Sequence, residues 1–531
     1  MTSLFSSKPR ARGFLTVALV CLGLIMMTSN PGDPSPQMVY VRAVESSIRT
    51  SGDTYYVSPD GDDNNPGTEA QPWRTIQKAA DTLMAGDMVY IKEGTYHERV
   101  IPQNSGTPGN YIVYAAYPGH TVTIDGTGIT LPQWWGGLFD ISNKSYIKVS
   151  GLRIINAGPH LNNVGILVDS SSHIIIEGNY TYNTTSSGIG VWGSDNVIID
   201  NNEVELACND GEQEAITVAG TDTFEVKNNH VHHGGPGTNG GEGIDVKDGS
   251  SNGQVFNNHV HHMNRVGIYV DAWDKHTYNI EVFGNVVHDN ADDGFAVASE
   301  MGGLLENVVL YNNIVYNNRW CGLTLSECCS ANRPVHNVKI INNTFYDNGW
   351  SSWGGGIVVA NPDVENVVIR NNIASQNLSF QIAVNPGVPM GQLSVDHNLI
   401  DGYRGNQEEG EIRGNDYVEG DPLFVNAAGG DFHLQENSPA IDQGSPMDAP
   451  GDDFEGDARP YGAGVDIGAD EWVACVLEGD LDGDGDVDIA DIMLVANCWR
   501  STDPACAQYD LDDDGDIDIV DVMLVAVHWG E

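Results

Sequence analysis

Short runs of alternating apolar and polar residues return along most of the chain. Gly-apolar-x-apolar segments begin at Gly165, Gly188, Gly243, Gly267, Gly294, Gly322 and Gly356, and Ala215 and Gln381 take the glycine position in two further units. Strand side chains alternate between two faces. Ile244/Val246, Ile268/Val270 and Phe295/Val297 are therefore expected to point into a core, and Asp245/Lys247, Tyr269/Asp271 and Ala296/Ala298 towards solvent. Asparagine recurs after an apolar run at Asn179, Asn202, Asn229, Asn258, Asn285, Asn313, Asn343, Asn372 and Asn398, at spacings of 23 to 30 residues. A unit of that length with two or three strands is one coil of a parallel β-helix. Asparagine at one fixed position is expected to stack on its neighbours and satisfy turn backbone groups. Leucine-rich repeats need recurring leucines, which are missing, and propeller blades need longer units.

Tyr55-Tyr-Val-Ser-Pro-Asp-Gly-Asp-Asp-Asn-Asn-Pro-Gly-Thr, Pro72-Trp-Arg-Thr-Ile-Gln-Lys-Ala and Gly86-Asp-Met-Val-Tyr-Ile-Lys-Glu-Gly-Thr-Tyr read as strand, turn, a short helix over Thr75–Leu83, then strand. This opening resembles the first turns of right-handed parallel β-helix proteins, especially the family 9 polysaccharide lyases, and the helix would cap the first coil. The fold class expected is mainly β: a right-handed parallel β-helix over 53–400, with a small all-α module at the end. Asp421–Trp472 departs from the repeat. Its Phe432-His-Leu, Ser438-Pro-Ala-Ile-Asp and Val465-Asp-Ile-Gly-Ala-Asp segments look like the closing piece of exported β-helix proteins, so 401–473 is expected to cover the open edge of the last coil.

Near the C-terminus a twelve-residue pattern occurs twice. Asp480, Asp482, Asp484, Asp486, Asp488 and Asp491 stand at loop positions 1, 3, 5, 7, 9 and 12, with Gly485 at position 6. Asp510, Asp512, Asp514, Asp516, Asp518 and Asp521 repeat it around Gly515. This is the calcium-loop spacing, with aspartate in place of glutamate at position 12 and the backbone carbonyl expected to serve at position 7. Apolar helix patterns follow at Ile492–Trp499 and Val522–Trp529. The pair, over 475–531, resembles a dockerin module. That resemblance implies two Ca2+ ions and a cohesin-type partner. Positions 10 and 11, often serine and threonine in that family, are Ile489/Ala490 and Ile519/Val520.

Charge narrows the partners. Lys and Arg total 24 against 74 Asp and Glu, a net charge of −50, which argues against nucleic acid and anionic membranes. Lys8, Arg10 and Arg12 precede an apolar run over Phe14–Met27 that is short for a spanning helix, so 1–28 reads as a signal peptide, 29–52 as a linker, and the mature protein as secreted, monomeric and without a membrane span. Outside the signal seven cysteines remain, an odd number. A bridge among Cys475, Cys498 and Cys506 is expected. The Glu327-Cys328-Cys329 run reads as structural.

The candidate chemistry lies on the outward column. Asp245, Asp271 and Glu300 differ successively by one coil and two residues, which places neighbouring Cα atoms about 8 Å apart. Paired carboxyl groups at such separations hydrolyse glycosidic bonds. Asp271 with Glu300 is the favoured catalytic pair, with Asp245 and Asp293 as further catalytic candidates. Glu242, Lys247, Tyr269, Trp273, Asp292 and Trp192 are expected to bind the polysaccharide, since aromatic rings pack on sugar faces. The competing reaction is elimination from a uronate polymer, with a further calcium ion in the groove. Asp292-Asp293-Gly294-Phe295 matches part of the family 9 lyase calcium motif, but the next aspartate is Ala296 here. The family's strand lysine is Thr324. Lys247 is a candidate relocated base, or else half of a structural ion pair. A non-catalytic carbohydrate-binding or adhesive β-helix is the third reading. His232, His261 and His288 hold equivalent places, flanked by His230, His233, His259 and His262. They read as a stacked ladder at a coil corner, with zinc binding as the alternative.

Overall fold

The computed structural model describes residues 52–235, 240–329, 331–473, 481, 487, 489–501, 506, 509–511 and 516–527. The signal peptide and linker expected over residues 1–52 lie outside them as far as residue 51. Among the described residues the chain winds into three parallel sheets of thirteen, thirteen and ten strands. Ten coils give one strand to each sheet, as Ser251–Phe256, His259–His261 and Ile268–Asp271 do in turn. Each strand pairs in parallel with the equivalent strand one coil on: Gly253 lies opposite Ile280, His259 opposite Val286 and Ile268 opposite Phe295. The inward residues predicted from alternation, Ile244, Val246, Ile268, Val270, Phe295 and Val297, belong to one apolar core running along the axis.

The repeated asparagines explain how the corner between the first and second sheets is held. Each backbone N–H from Asn179 to Asn372 donates to the side-chain oxygen of the next rung's asparagine, at 2.9–3.0 Å. The amide nitrogens reach strand carbonyls as well, as Asn258 Nδ2 reaches Val226 at 2.9 Å. All nine asparagines are buried, so each would otherwise leave polar groups unsatisfied. The residue before the ladder turns left-handed, for example Asn257 at φ 54° and Asn312 at 52°. Asparagine and glycine tolerate that region best, which is why Asn-Asn and Gly-Asn pairs mark these corners. A second, unforeseen ladder runs through Asn290, Asn318, Asn348 and Asn377.

At the start, the helix Ile76–Thr82 is capped by Thr75, whose Oγ1 accepts from the Lys78 N–H. Ile76, Ala79, Ala80 and Leu83 cover the first coil's core. The closing segment does more than predicted. Val418–Glu419 adds the last strand to the second sheet. The chain then turns back along the outside of earlier coils: Asn312 Nδ2 reaches the Asp452 carbonyl, Asn342 Nδ2 the Asp466 carbonyl, and Phe432 packs on Tyr316 and Tyr346. Its inner lock is Arg459 against Glu471, 2.8 Å apart with both side chains buried.

Beyond the part covered by that segment, imidazoles tile the second sheet's outer face. His230 stacks on His259, and His232 on His261, which stacks on His288. The rings stack as expected, but on a sheet face rather than at a coil corner. Burial first, then repulsion by neighbouring rings, draws His259 down to about 4 and His261 to about 3.

In the C-terminal module the helices run over Ile489–Asn497 and Ile519–Val527, each starting three residues earlier than predicted. Val487, Val495, Ile517 and Val525 form its core, and Cys498 bridges Cys506. Cys475 lies outside the described residues. Cys328 and Cys329 form a vicinal disulfide, and Cys208 and Cys321 are buried thiols. Among the described residues no helix is long and apolar enough to cross a membrane.

Candidate active site

Neighbouring strands of the third sheet, Ile189–Trp192, Ile216–Ala219, Ile244–Lys247 and Ile268–Asp271, form the floor of a cleft of about 560 Å³. Glu212, Gln213, Glu214, Glu242 and Arg265 ahead of the strands, Asp248 and Trp273 after them, and Glu300 one coil on complete its lining. Asp245, Asp271 and Glu300 meet here with Glu242, Lys247, Tyr269, Trp273 and Trp192, as the repeat register requires. Two expectations need correction. The acidic floor is not solvated: Asp245 is 2% exposed and Asp271 3%, because the long residues around the strands overhang it. Asp292 and Asp293 do not join this cleft. They line a second one with Trp320, Thr324 and Trp353. Their position ahead of the strand, one coil beyond Arg265, carries them past the first cleft.

Burial shapes the chemistry. Asp245 and Asp271 are driven well above the usual carboxylate range, foremost by burial, with Lys247 opposing and neighbouring acids adding. Each carries a buried Oδ1 without a hydrogen-bond partner among the described residues. Glu242 is raised to about 7 by burial and then by Glu214. The Tyr269 hydroxyl donates to Glu300 Oε1. Lys247 Nζ lies 2.5 Å from Glu214 Oε1 and 3.4 Å from Asp245 Oδ2. Burial lowers its affinity for a proton, but these carboxylates more than restore it, so its pKa rises. An ammonium so held is no base, and the ion-pair reading of Lys247 is the one the geometry favours. Arg265, overlooked in the sequence, pairs with Glu242 at 3.3 Å. Trp135, also overlooked, packs edge-on against Trp192 with ring centroids 4.3 Å apart. Neither sits at a repeated strand position, so periodicity gave no signal for them.

In the second cleft Asp293 is raised to about 7 by burial and by Asp292, and accepts from the Cys321 N–H at 2.7 Å. Trp320 and Trp353 stand with ring centroids 6.1 Å apart at its rim.

The family model for the Pel9A-like right-handed β-helix region matches residues 55–264, and that for the dockerin type I domain matches 478–528. The uncharacterized protein YwoF of Bacillus subtilis (strain 168) is 32% identical over 438 residues, which span 73% of this chain and 92% of YwoF. The chain belongs to the Pel9A-like right-handed β-helix family and ends in a type I dockerin. Pectate lyase PEL9 of Emericella nidulans is 32% identical over 157 residues, 27% of this chain and 37% of PEL9. The crystal structure of pectate lyase Pel9A shares the fold, with a TM-score of 0.50 at 16% identity over 80% of this chain and 98% of that one.

The dockerin's donor set suits a hard cation. Asp491 and Asp521, at position 12 of each loop, are fully buried. Each accepts the N–H of the residue after the loop's first aspartate, from Leu481 and Leu511, both at 2.6 Å. Asp521 also accepts from the Asp518 N–H at 2.7 Å. Position 12 thereby closes its loop onto position 2, beside the first aspartate, which suits the oxygen coordination of calcium. Asp510, Asp516 and Asp518 are among the described residues. Asp480, Asp482, Asp484, Asp486, Asp488, Asp512 and Asp514 lie outside them.

Proposed function

We propose that this Pel9A-like protein is an extracellular polysaccharide-cleaving enzyme that hydrolyses glycosidic bonds in the first cleft. The observation that carries the reading is Asp271: a buried carboxyl group favouring its protonated form, with Oδ1 unpartnered, beside Glu300. A protonated acid can deliver its proton to the leaving glycosidic oxygen, while Glu300, held by Tyr269, serves as base or nucleophile. Trp273, 46% exposed, and Trp192 offer ring faces to the sugars. Asp245 and Glu242 then contact hydroxyls, and Lys247 keeps the acidic floor balanced.

A lyase reading draws on the PEL9 likeness and on the Asp292-Asp293 pair in the second cleft. Against it stand Ala296 and Thr324 at the two motif positions, and the absence of an unpaired base among Lys247 and Arg265. The test is to incubate the full chain with neutral and uronate-containing polysaccharides, with calcium and with chelator. New reducing ends without the ultraviolet absorbance of an unsaturated sugar support hydrolysis. Calcium-dependent appearance of that absorbance overturns it in favour of elimination. Binding with neither product makes the β-helix a carbohydrate-binding module.

The dockerin is proposed to hold one Ca2+ per loop and to seat on a cohesin-type domain. Ile489 at 55% exposure and Ile519 at 53% put an apolar residue at the recognition position of each repeat, and Met493 and Met523 lie exposed one turn on. The expected partner surface is therefore apolar where other type I pairs use hydroxyls.

A further inference from the structure

Seven histidines from three successive coils crowd the outer face of the second sheet, on a different wall of the solenoid from both clefts. The strands His230–His232, His259–His261 and Val286–His288 stack in register, His230 opposite His259 and His261 opposite His288. Val231, Val260 and Val287 point into the core, so period-two alternation sends the rings outward. Stacking alone accounts for rings that lie over one another. It does not account for the nitrogens: His230 Nε2 faces His261 Nε2 at 2.8 Å, and His259 Nε2 faces His288 Nε2 at 2.7 Å. Ligand nitrogens of His230, His259 and His261 all fall within 4.8 Å of one another.

We propose that His230, His259 and His261 bind a divalent transition ion, of the zinc, nickel or copper type, with solvent completing its coordination. The ladder then acts as a metal staple across two coils. Imidazole is the ligand these ions favour, and calcium does not. His261 Nδ1 lies 2.7 Å from His262 Nδ1, and the tautomer that donates along this contact leaves a bare Nε2 towards His230. Such an outer hydrogen bond is what fixes ligand tautomers in metal sites. At Zn–N distances of about 2.0–2.1 Å, tetrahedral ligand nitrogens sit about 3.3 Å apart. The facing His230–His261 pair needs to open by about half an ångström, and His259 Nε2, within 4.8 Å of both, needs to draw in, which ring rotation supplies. His230 and His261 are partly buried and His259 is exposed, so an ion has access from solvent. Glu203 Oε1, 3.4 Å from His232 Nε2, adds a carboxylate at the edge.

The test is titration of the full chain with Zn2+ by calorimetry, in excess Ca2+ so that oxygen sites are filled. One equivalent is expected to bind, and His230→Gln with His261→Gln should weaken it by more than about tenfold. Unchanged binding in the double variant, or no binding by the native chain, overturns the proposal and leaves a ring stack only. A second measurement needs no variant: Cu2+ bound at substoichiometric load should show nitrogen hyperfine coupling by electron paramagnetic resonance. A spectrum with oxygen ligands alone also overturns it.

Discussion

For Asp271, burial is the basis of the proposed role. Its strand position alternates outward, yet neighbouring coils enclose it, so its carboxyl group favours the proton that a general acid needs. Asp271→Asn is expected to lower turnover roughly a hundredfold or more on the right glycan while leaving the fold intact. Initial rates and circular dichroism check this together, and full turnover would remove Asp271 from the mechanism. Glu242 gives a prediction in pH. Its folded value, about 7, lies above the ordinary 4.5, so the folded state holds the proton more tightly than the unfolded chain. The stabilisation this gives is fully present below 4.5 and is lost as pH rises through about 7. Melting temperatures across that window should decline in the native protein and decline less in Glu242→Gln.

At the scale of the element, the asparagine ladder is the strongest test. Asn258 accepts from Asn229 and donates to Val226 and Asn285, all within the interior. Asn258→Ala strands several buried groups at about 1–3 kcal/mol each, so a loss of at least about 3 kcal/mol is expected from denaturant midpoints. The ladder was legible in the sequence because one spacing rule both names the asparagines and fixes the strand register. The same rule brought Asp245, Asp271 and Glu300 into one cleft. It misplaced Asp293, which stands ahead of its strand as Glu242 does but two coils further on, in the second cleft. It was silent on Arg265 and Trp135, which sit at no repeated strand position. The closing segment's return along the coils was illegible too, since its contacts with Asn312, Asn342 and Tyr316 span more than a hundred residues without any periodic trace.

For the whole molecule, that returning segment ties late chain to middle coils. Arg370 clasps Asp396 at 2.6 Å and Asp448 at 2.8 Å, and Arg459 is enclosed with Glu471. Glu471→Ala leaves a buried guanidinium without its carboxylate, at a cost of about 3–5 kcal/mol. Limited proteolysis should then cut within 421–472 sooner than in the native chain, and an unchanged digestion pattern would count against a fastening role.

The corner asparagines hand each coil's backbone to the next by the same contact, whatever the coil carries outside. A duplicate turn spliced in between Asn343 and Asn372 would therefore lengthen the rod by about 4.8 Å and leave the cleft around Asp271 its shape, provided the returning segment's hold on Asn342 and Asn371 were lengthened with it. Lineages that gained or lost a turn there would have changed reach without rebuilding chemistry.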